Sequence, residues 1–176
     1  MKRTIYLLIA AIFLIGINIK GHAQKVQKSP KATVSQTVGL TNVSITYYRP
    51  GLKGRSMSKL APNGKVWRTG ANNATELKIS NPITIGGKEL AAGTYTLYTI
   101  PGEGEWSVII NSKISWGTEY SQSDDVMRFS AKATKTSGAT ETFTINISDI
   151  DANGKDASLE LRWGDVSVKA PFTVSK

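Results

Sequence analysis

The sequence predicts an all-β fold: an antiparallel β-sandwich, jelly-roll-like or a partly closed barrel, behind an N-terminal signal peptide. Three observations predict it. Apolar and polar residues alternate with period 2 in one segment after another, the pattern of strands with one buried face. Turn-forming dipeptides separate these segments at spacings of about 8–12 residues, which suits a sandwich or barrel. No segment shows the 3.6-residue periodicity of an amphipathic helix, and there is no internal repeat or low-complexity tract.

Taken in order, the chain begins with a basic pair, Lys2 and Arg3, followed by the apolar run Ile5 to Ile17. Gly21 and Ala23 supply small residues at −3 and −1 of a cleavage site before Gln24. This is the layout of a secretory signal peptide, residues 1–23. The run is shorter than the roughly 20 residues that span a bilayer, although an uncleaved anchor is the alternative. Without cysteine there is no lipidation site at the cleavage point. The expected mature protein is periplasmic or secreted, with no transmembrane span after cleavage, a flexible leader over 24–29 and a single sandwich domain over 30–176.

Strands are expected where alternation is clean. Val43, Ile45 and Tyr47 form one face, and Leu77 with Ile79 and Ile83 with Ile85 form others. Thr94 to Ile100 reads as extended, followed by Trp106, Val108 and Ile110 alternating with Ser107 and Ile109. Val126 to Thr136 is extended, then Phe143, Ile145 and Ile147, then Leu159, Leu161 and Trp163, then Val166 onward to Val174. Turns are expected at Asn81-Pro82, Gly86-Gly87, Ala92-Gly93, Pro101-Gly102, Ser137-Gly138, Asn153-Gly154 and Gly164-Asp165. Gly86-Gly87 and Asn153-Gly154 suit two-residue hairpins, whose central residues take positive φ.

Arg49 to Ala74 breaks the strand pattern. It is rich in Gly, Asn and Pro and carries two large anchors, Leu60 and Trp67. Long irregular segments in compact domains are often functional. The plain alternative is a meandering connection pinned to the sandwich by those two side chains.

Composition excludes many chemistries. The 176-residue chain has no Cys and one His, His22, which leaves with the signal. Disulfides, thiol catalysis, Ser-His-Asp triads and His zinc sites are therefore impossible in the mature chain. Catalysis there would rest on carboxylates, Lys, Tyr, Ser/Thr or a hard cation. The full-length charge of +9 falls to +6, because Lys2, Arg3 and Lys20 leave and no acid does.

The remaining charge is segregated. Residues 24–88 hold eleven basic residues against one acid, Glu76; residues 89–176 hold eight against twelve. Arg49, Lys53, Arg55, Lys59, Lys65 and Arg68 all lie in the irregular segment. Arginine grips carboxylate and phosphate bidentately, so a small anionic ligand is one reading. The other is that C-terminal acids neutralise the segment from within. Nucleic acid is not expected, because the protein is exported and carries no recognisable binding motif.

Two further chemistries follow from spacing. Asp149 to Glu160 fits the calcium-loop pattern, with Asp149, Asp151, Asn153 and Glu160 as oxygen ligands and Gly154 as the turn. Its flanks alternate like strands rather than helices, so a polar hairpin is the competing account, and the expected cofactor is none. Asp124-Asp125, Glu103-Glu105 and Glu119 are the acids from which a two-carboxylate hydrolase would be built. Adjacent strand residues face opposite sides, which argues against such pairs. Trp116, beside Gly117 and near Tyr120, is the best candidate for an exposed sugar-stacking ring; Trp106 and Trp163 fit inward faces.

Several motifs carry a resemblance. They are Tyr48-Arg49-Pro50, Lys53-Gly54-Arg55, Trp67-Arg68-Thr69-Gly70-Ala71-Asn72 with Thr75, Ala92-Gly93-Thr94-Tyr95, Ile100-Pro101, Trp106 and Trp116-Gly117. From about Ser29 to Val174 the chain resembles domain-of-unknown-function family 2911, typical of Bacteroidota-type bacteria. The resemblance implies an exported β-rich protein with no assigned activity, so no catalytic residue is carried over.

The expected site joins both lines. Arg49, Lys53, Arg55, Arg68, Asn72 and Thr75 would line a pocket floored by Trp67, with Trp116 exposed for stacking. The expected function is binding of a small anionic or carbohydrate ligand rather than catalysis. A carboxylate- or calcium-dependent hydrolase is one alternative. The other is a structural or interaction module of the cell envelope that meets its partner through a strand edge.

Overall fold

The computed structural model describes residues 26–175; the expected signal peptide and the first two residues of the expected leader lie outside them. Among the described residues nine strands form one antiparallel sheet: β1 (Lys31–Val38), β2 (Thr41–Tyr48), β3 (Thr75–Ile79), β4 (Ile83–Ile85), β5 (Lys88–Leu90), β6 (Gly93–Ile100), β7 (Glu105–Asn111), β8 (Asp125–Ser148) and β9 (Asp156–Val174). Their order across the sheet is β1-β2-β3-β6-β7-β8-β9-β4-β5. The fold is the predicted sandwich-like all-β architecture. Among the described residues, one helical turn, α1 (Met57–Leu60), capped by the Ser56 side chain accepting from the Lys59 amide, and a 3₁₀ turn at Gln122–Asp124 accompany the strands.

The connectivity itself forces the sheet to curl. β3 and β4 are separated by β6, β7, β8 and β9 in the sheet, yet Ile79 and Ile83 are four residues apart. Four residues span at most about 14 Å, so β9, which pairs with β4, must return over β3. The long strands β8 and β9 allow this by bending. Their register shifts between Lys135 and Thr140 and again between Thr140 and Thr144. At the bend, Gly164 takes φ 58 inside β9, a conformation cheap for glycine. Ser137-Gly138 and Gly164-Asp165 therefore bend continuous strands rather than reverse them, and four expected strands become two. Bulges and strand glycines do this by relaxing the ladder locally.

Gly86-Gly87 forms the expected two-residue turn, with φ 60 and 75 and Ile85 paired to Lys88. Asn153-Gly154 does not. β8 and β9 are joined by residues 149–155, and the Asp151 carboxylate (Oδ1) organises that loop by accepting from the Lys155 and Asp156 amides at 2.7 and 3.1 Å. A side chain that satisfies turn amides in this way stabilises a longer loop than the dipeptide implied.

The core follows the predicted faces. Ile45, Leu77, Leu97, Val108, Ile110, Phe143, Leu161 and Trp163 are buried in one cluster. Tyr47 ties its two layers: its hydroxyl accepts from the Ile145 amide at 2.9 Å. Tyr98 and Ile109, on the opposite face of β6 and β7, are buried as well, in a small second cluster with Ala74. Residues 112–121 cross that face, and Tyr120 packs on the cluster. Among the described residues, no helix is long and apolar enough to cross a membrane.

Candidate functional site

The irregular segment 49–74 is tied down at three places. Leu52 donates its amide to Glu141 O, and Phe143 donates its amide to Pro50 O, stitching the end of β2 to β8. Trp67 exchanges backbone hydrogen bonds with Thr99 at 2.7 and 2.9 Å, extending the sheet beside β6. Ala71 donates to Tyr48 O, and the Thr75 hydroxyl to Thr69 O. Three non-glycine residues here, Lys53, Thr69 and Asn72, take positive φ near 50–56. For the β-branched Thr69 that is a genuine outlier. Strain of this kind persists where surrounding bonds over-determine the backbone; Thr69 is fully buried, with its hydroxyl donating to Thr99 Oγ1. Gly70 cannot be replaced without a shift, because a Cβ there would sit 2.9 Å from Tyr48 O.

The predicted site residues separate into three groups. Arg49 and Thr75 serve the scaffold. Arg49 is half-buried and reaches across to β8, donating Nε to Phe143 O at 3.1 Å and Nη2 to Thr144 Oγ1 at 2.8 Å. Thr75 is fully buried. Trp67 is also core: it stacks on Trp163 at 5.2 Å and meets Phe143 and Trp106 edge-on. One margin of Trp67, with Arg68, still reaches a hollow on the outer face.

The remaining residues come together over the leader. Asn72 and Trp116 line a hollow of about 520 Å³ with Tyr48, Asn73, Lys28 and Ser29. Trp116 is 53 % exposed, and Asn72 is held toward the leader by donating to Ser29 O at 3.4 Å. Lys53 and Arg55 line a second hollow of about 540 Å³ with Gly51, and Lys28 and Ser29 form its other wall. The two hollows thus adjoin through shared residues. Arg55 is oriented by its own loop, donating Nε to Leu52 O and Nη2 to Gly51 O. Tyr48 and Asn73 have no obvious mark in the sequence; Tyr48 is simply the outward residue beside buried Tyr47.

Charge within this region is not cancelled by carboxylates. Among the described residues the ion pairs are Arg128–Asp125, Arg162–Glu160 and Lys169–Asp149, all between members of the second half. The arginines of segment 49–74 bond backbone carbonyls and a hydroxyl instead. Such partners fix a guanidinium without neutralising it. Glu141 approaches closest, accepting from the Lys53 amide through Oε1 at 2.7 Å.

The calcium-loop residues are engaged separately. Asp149 pairs with Lys169 at 2.8 Å, which holds its carboxyl below the usual carboxylate range. Asp151 is lowered by the amides of Asp156 and Lys155, while Glu160 accepts from Ser167. Among the described residues no group of three acidic side chains gathers for a metal ion. Of the acids considered for hydrolysis, Glu103 lines a cleft of about 560 Å³ below α1, where Asp165 and Trp106 also appear. Asp125 belongs to a network in which Arg128 donates to Asp125 Oδ2 and to the Tyr120 hydroxyl. Burial, and then the hydrogen bond to Asp125, push the Tyr120 phenol up.

Neither a curated protein nor a solved structure matches this chain significantly. Residues 29–172 match the family model described as Protein of unknown function (DUF2911), and the chain belongs to that family.

Proposed function

We propose that this is an exported, periplasmic or secreted binding module for a small anionic or carbohydrate ligand, best fitted by an acidic sugar. One observation carries the reading: a half-exposed tryptophan flanked by Tyr48, Asn72 and Asn73 adjoins a wall of uncancelled cations, Lys28, Lys53 and Arg55. Flat rings and amides suit the faces and hydroxyls of a sugar, and a few placed polar groups set orientation in such sites. The cations suit its carboxylate or sulfate. The mature chain lacks His and Cys, which favours recognition over acid–base or thiol chemistry.

Titration calorimetry with a hexuronic acid trisaccharide and its neutral hexose counterpart tests this. The acidic sugar binds more tightly, and added salt narrows the difference. Lys53→Ala with Arg55→Ala weakens the acidic sugar about tenfold, two exposed ion pairs' worth, and leaves the neutral one unchanged. Trp116→Ala weakens both. Failure of both sugars to bind, or equal affinity in all variants, rejects the reading. The hydrolase alternative keeps one specific support, Glu103 and Asp165 in one cleft. Release of reducing ends from an acidic polysaccharide, abolished by Glu103→Gln, would favour it instead.

A further inference from the structure

The outer face of β6 and β7 holds a further hollow that the groove over the leader does not use. It measures about 360 Å³ and is walled by Val66, Trp67, Arg68, Tyr98, Thr118 and Tyr120, among others. Two adjacent phenols differ sharply there. The rings of Tyr98 and Tyr120 meet at 5.1 Å. The Tyr120 hydroxyl is fully used, donating to Asp125 Oδ2 and accepting from Arg128. Tyr98 is 1 % exposed and, among the described residues, its hydroxyl has no hydrogen-bond partner. A buried hydroxyl left unpaired costs stability that phenylalanine would not, so the oxygen needs a partner that the folded chain does not supply.

Charge defines that partner. Among the described residues, Arg68 is the one charged residue in the wall and no carboxylate lines it. Its Nη1 donates to Asn72 O at 2.8 Å, leaving other guanidinium donors free. Its stem is clamped, since a Cβ added to Gly117 would meet Arg68 Cδ at 2.8 Å and Asn72 O at 3.0 Å. A fixed cation stands among aromatic and apolar walls, and the unpaired phenol lies buried in the wall itself.

We infer that this hollow is a second binding site, taking a small ring-bearing carboxylate. Its ring would lie against Trp67 and Tyr120, and its carboxylate would accept from Arg68 and, once a shift of the Tyr120 ring opens the wall, from the Tyr98 hydroxyl. The site is separate from the leader groove: neither Lys53, Arg55 nor Asn72 lines it.

Benzoate is the probe, followed by amide chemical shifts. Millimolar benzoate shifts the Gly117 and Thr118 amides saturably, and benzamide and acetate bind at least about tenfold more weakly, lacking the charge or the ring. Tyr98→Phe loses about tenfold in benzoate affinity while the free protein melts at the same temperature or higher. That pairing is the signature of a hydroxyl kept for a ligand. Arg68→Gln loses a similar factor. No saturable shift at Gly117 and Thr118, full affinity in Tyr98→Phe, or a Tyr98→Phe melting point several degrees lower would each overturn the proposal. The last would show that the hydroxyl serves the fold.

Discussion

Trp67 is the residue on which the pocket-floor and core readings diverge most. Its indole is 8 % exposed, stacked on Trp163 at 12° and 5.2 Å, and edge-on to Phe143 at 4.9 Å and Trp106 at 6.2 Å. Phe143, Trp163 and Trp106 sit in β8, β9 and β7, paired strands that cannot close on a void. Trp67→Ala therefore costs the lost transfer free energy plus an unfilled cavity, about 3–5 kcal/mol. Aromatic pairs add about 0.5–1.5 kcal/mol each beyond area, which places the loss toward the top of that range. For a domain of this size each kcal/mol moves Tm by about 2–4 °C. Urea unfolding followed by circular dichroism, with an unchanged m value, is the assay. Trp116→Ala, at a half-exposed ring, changes stability by no more than about 0.5 kcal/mol. A Trp67→Ala loss below about 1 kcal/mol would refute the packing argument, and equal losses at Trp67 and Trp116 would refute the division of roles between them.

Two more predictions rest on polar contacts. Arg49→Ala removes both of that side chain's hydrogen bonds to β8 and costs about 1–3 kcal/mol; Arg49→Lys recovers only part, because one ammonium cannot reproduce a planar fork. Hydrogen exchange at the Phe143 amide, bonded to Pro50 O beside this contact, speeds up in both variants. The Asp149–Lys169 pair lowers the carboxyl and raises the ammonium, each through its hydrogen bond to the other. The depressed acid stabilises above the unfolded carboxylate pKa of about 4, and the effect fades as pH falls through the folded value; the raised lysine stabilises below about 10.4, fading as pH rises through its folded value. Lys169→Ala thus loses a small increment at pH 7 and none near pH 2, read from paired urea titrations. Being exposed, the pair weakens in high salt.

Local features were legible because they are local. Alternation at Val43-Ile45-Tyr47 and Trp106-Val108-Ile110 reports which side of a strand is buried, and those side chains are the core. The glycines of Gly86-Gly87 report a turn that needs positive φ at adjacent positions. Trp116 was legible as exposed, between polar residues and glycine, with no alternating partner. Tyr98 and Ile109 carried a readable sign that was easy to pass over: large apolar residues at outward positions mean that something covers the outer face.

By itself the sequence determined the fold class, the buried faces, the exclusion of cysteine chemistry, and the crowding of cations into segment 49–74. Tertiary structure alone decided the rest. Ser137-Gly138 bends a strand instead of ending one because β9 pairs with β8 on both sides of it. Strand order is set by contacts between distant residues, such as β4 against β9, which no local pattern encodes. Among the described residues the ion pairs that form all lie within the second half, and none reaches the cations of segment 49–74. Arg49, Arg68 and Arg55, one residue type in one segment, part into a strut, the wall of one hollow and the wall of another. A side chain's role depends on what the rest of the chain folds against it, and that geometry exists only once the sheet has curled.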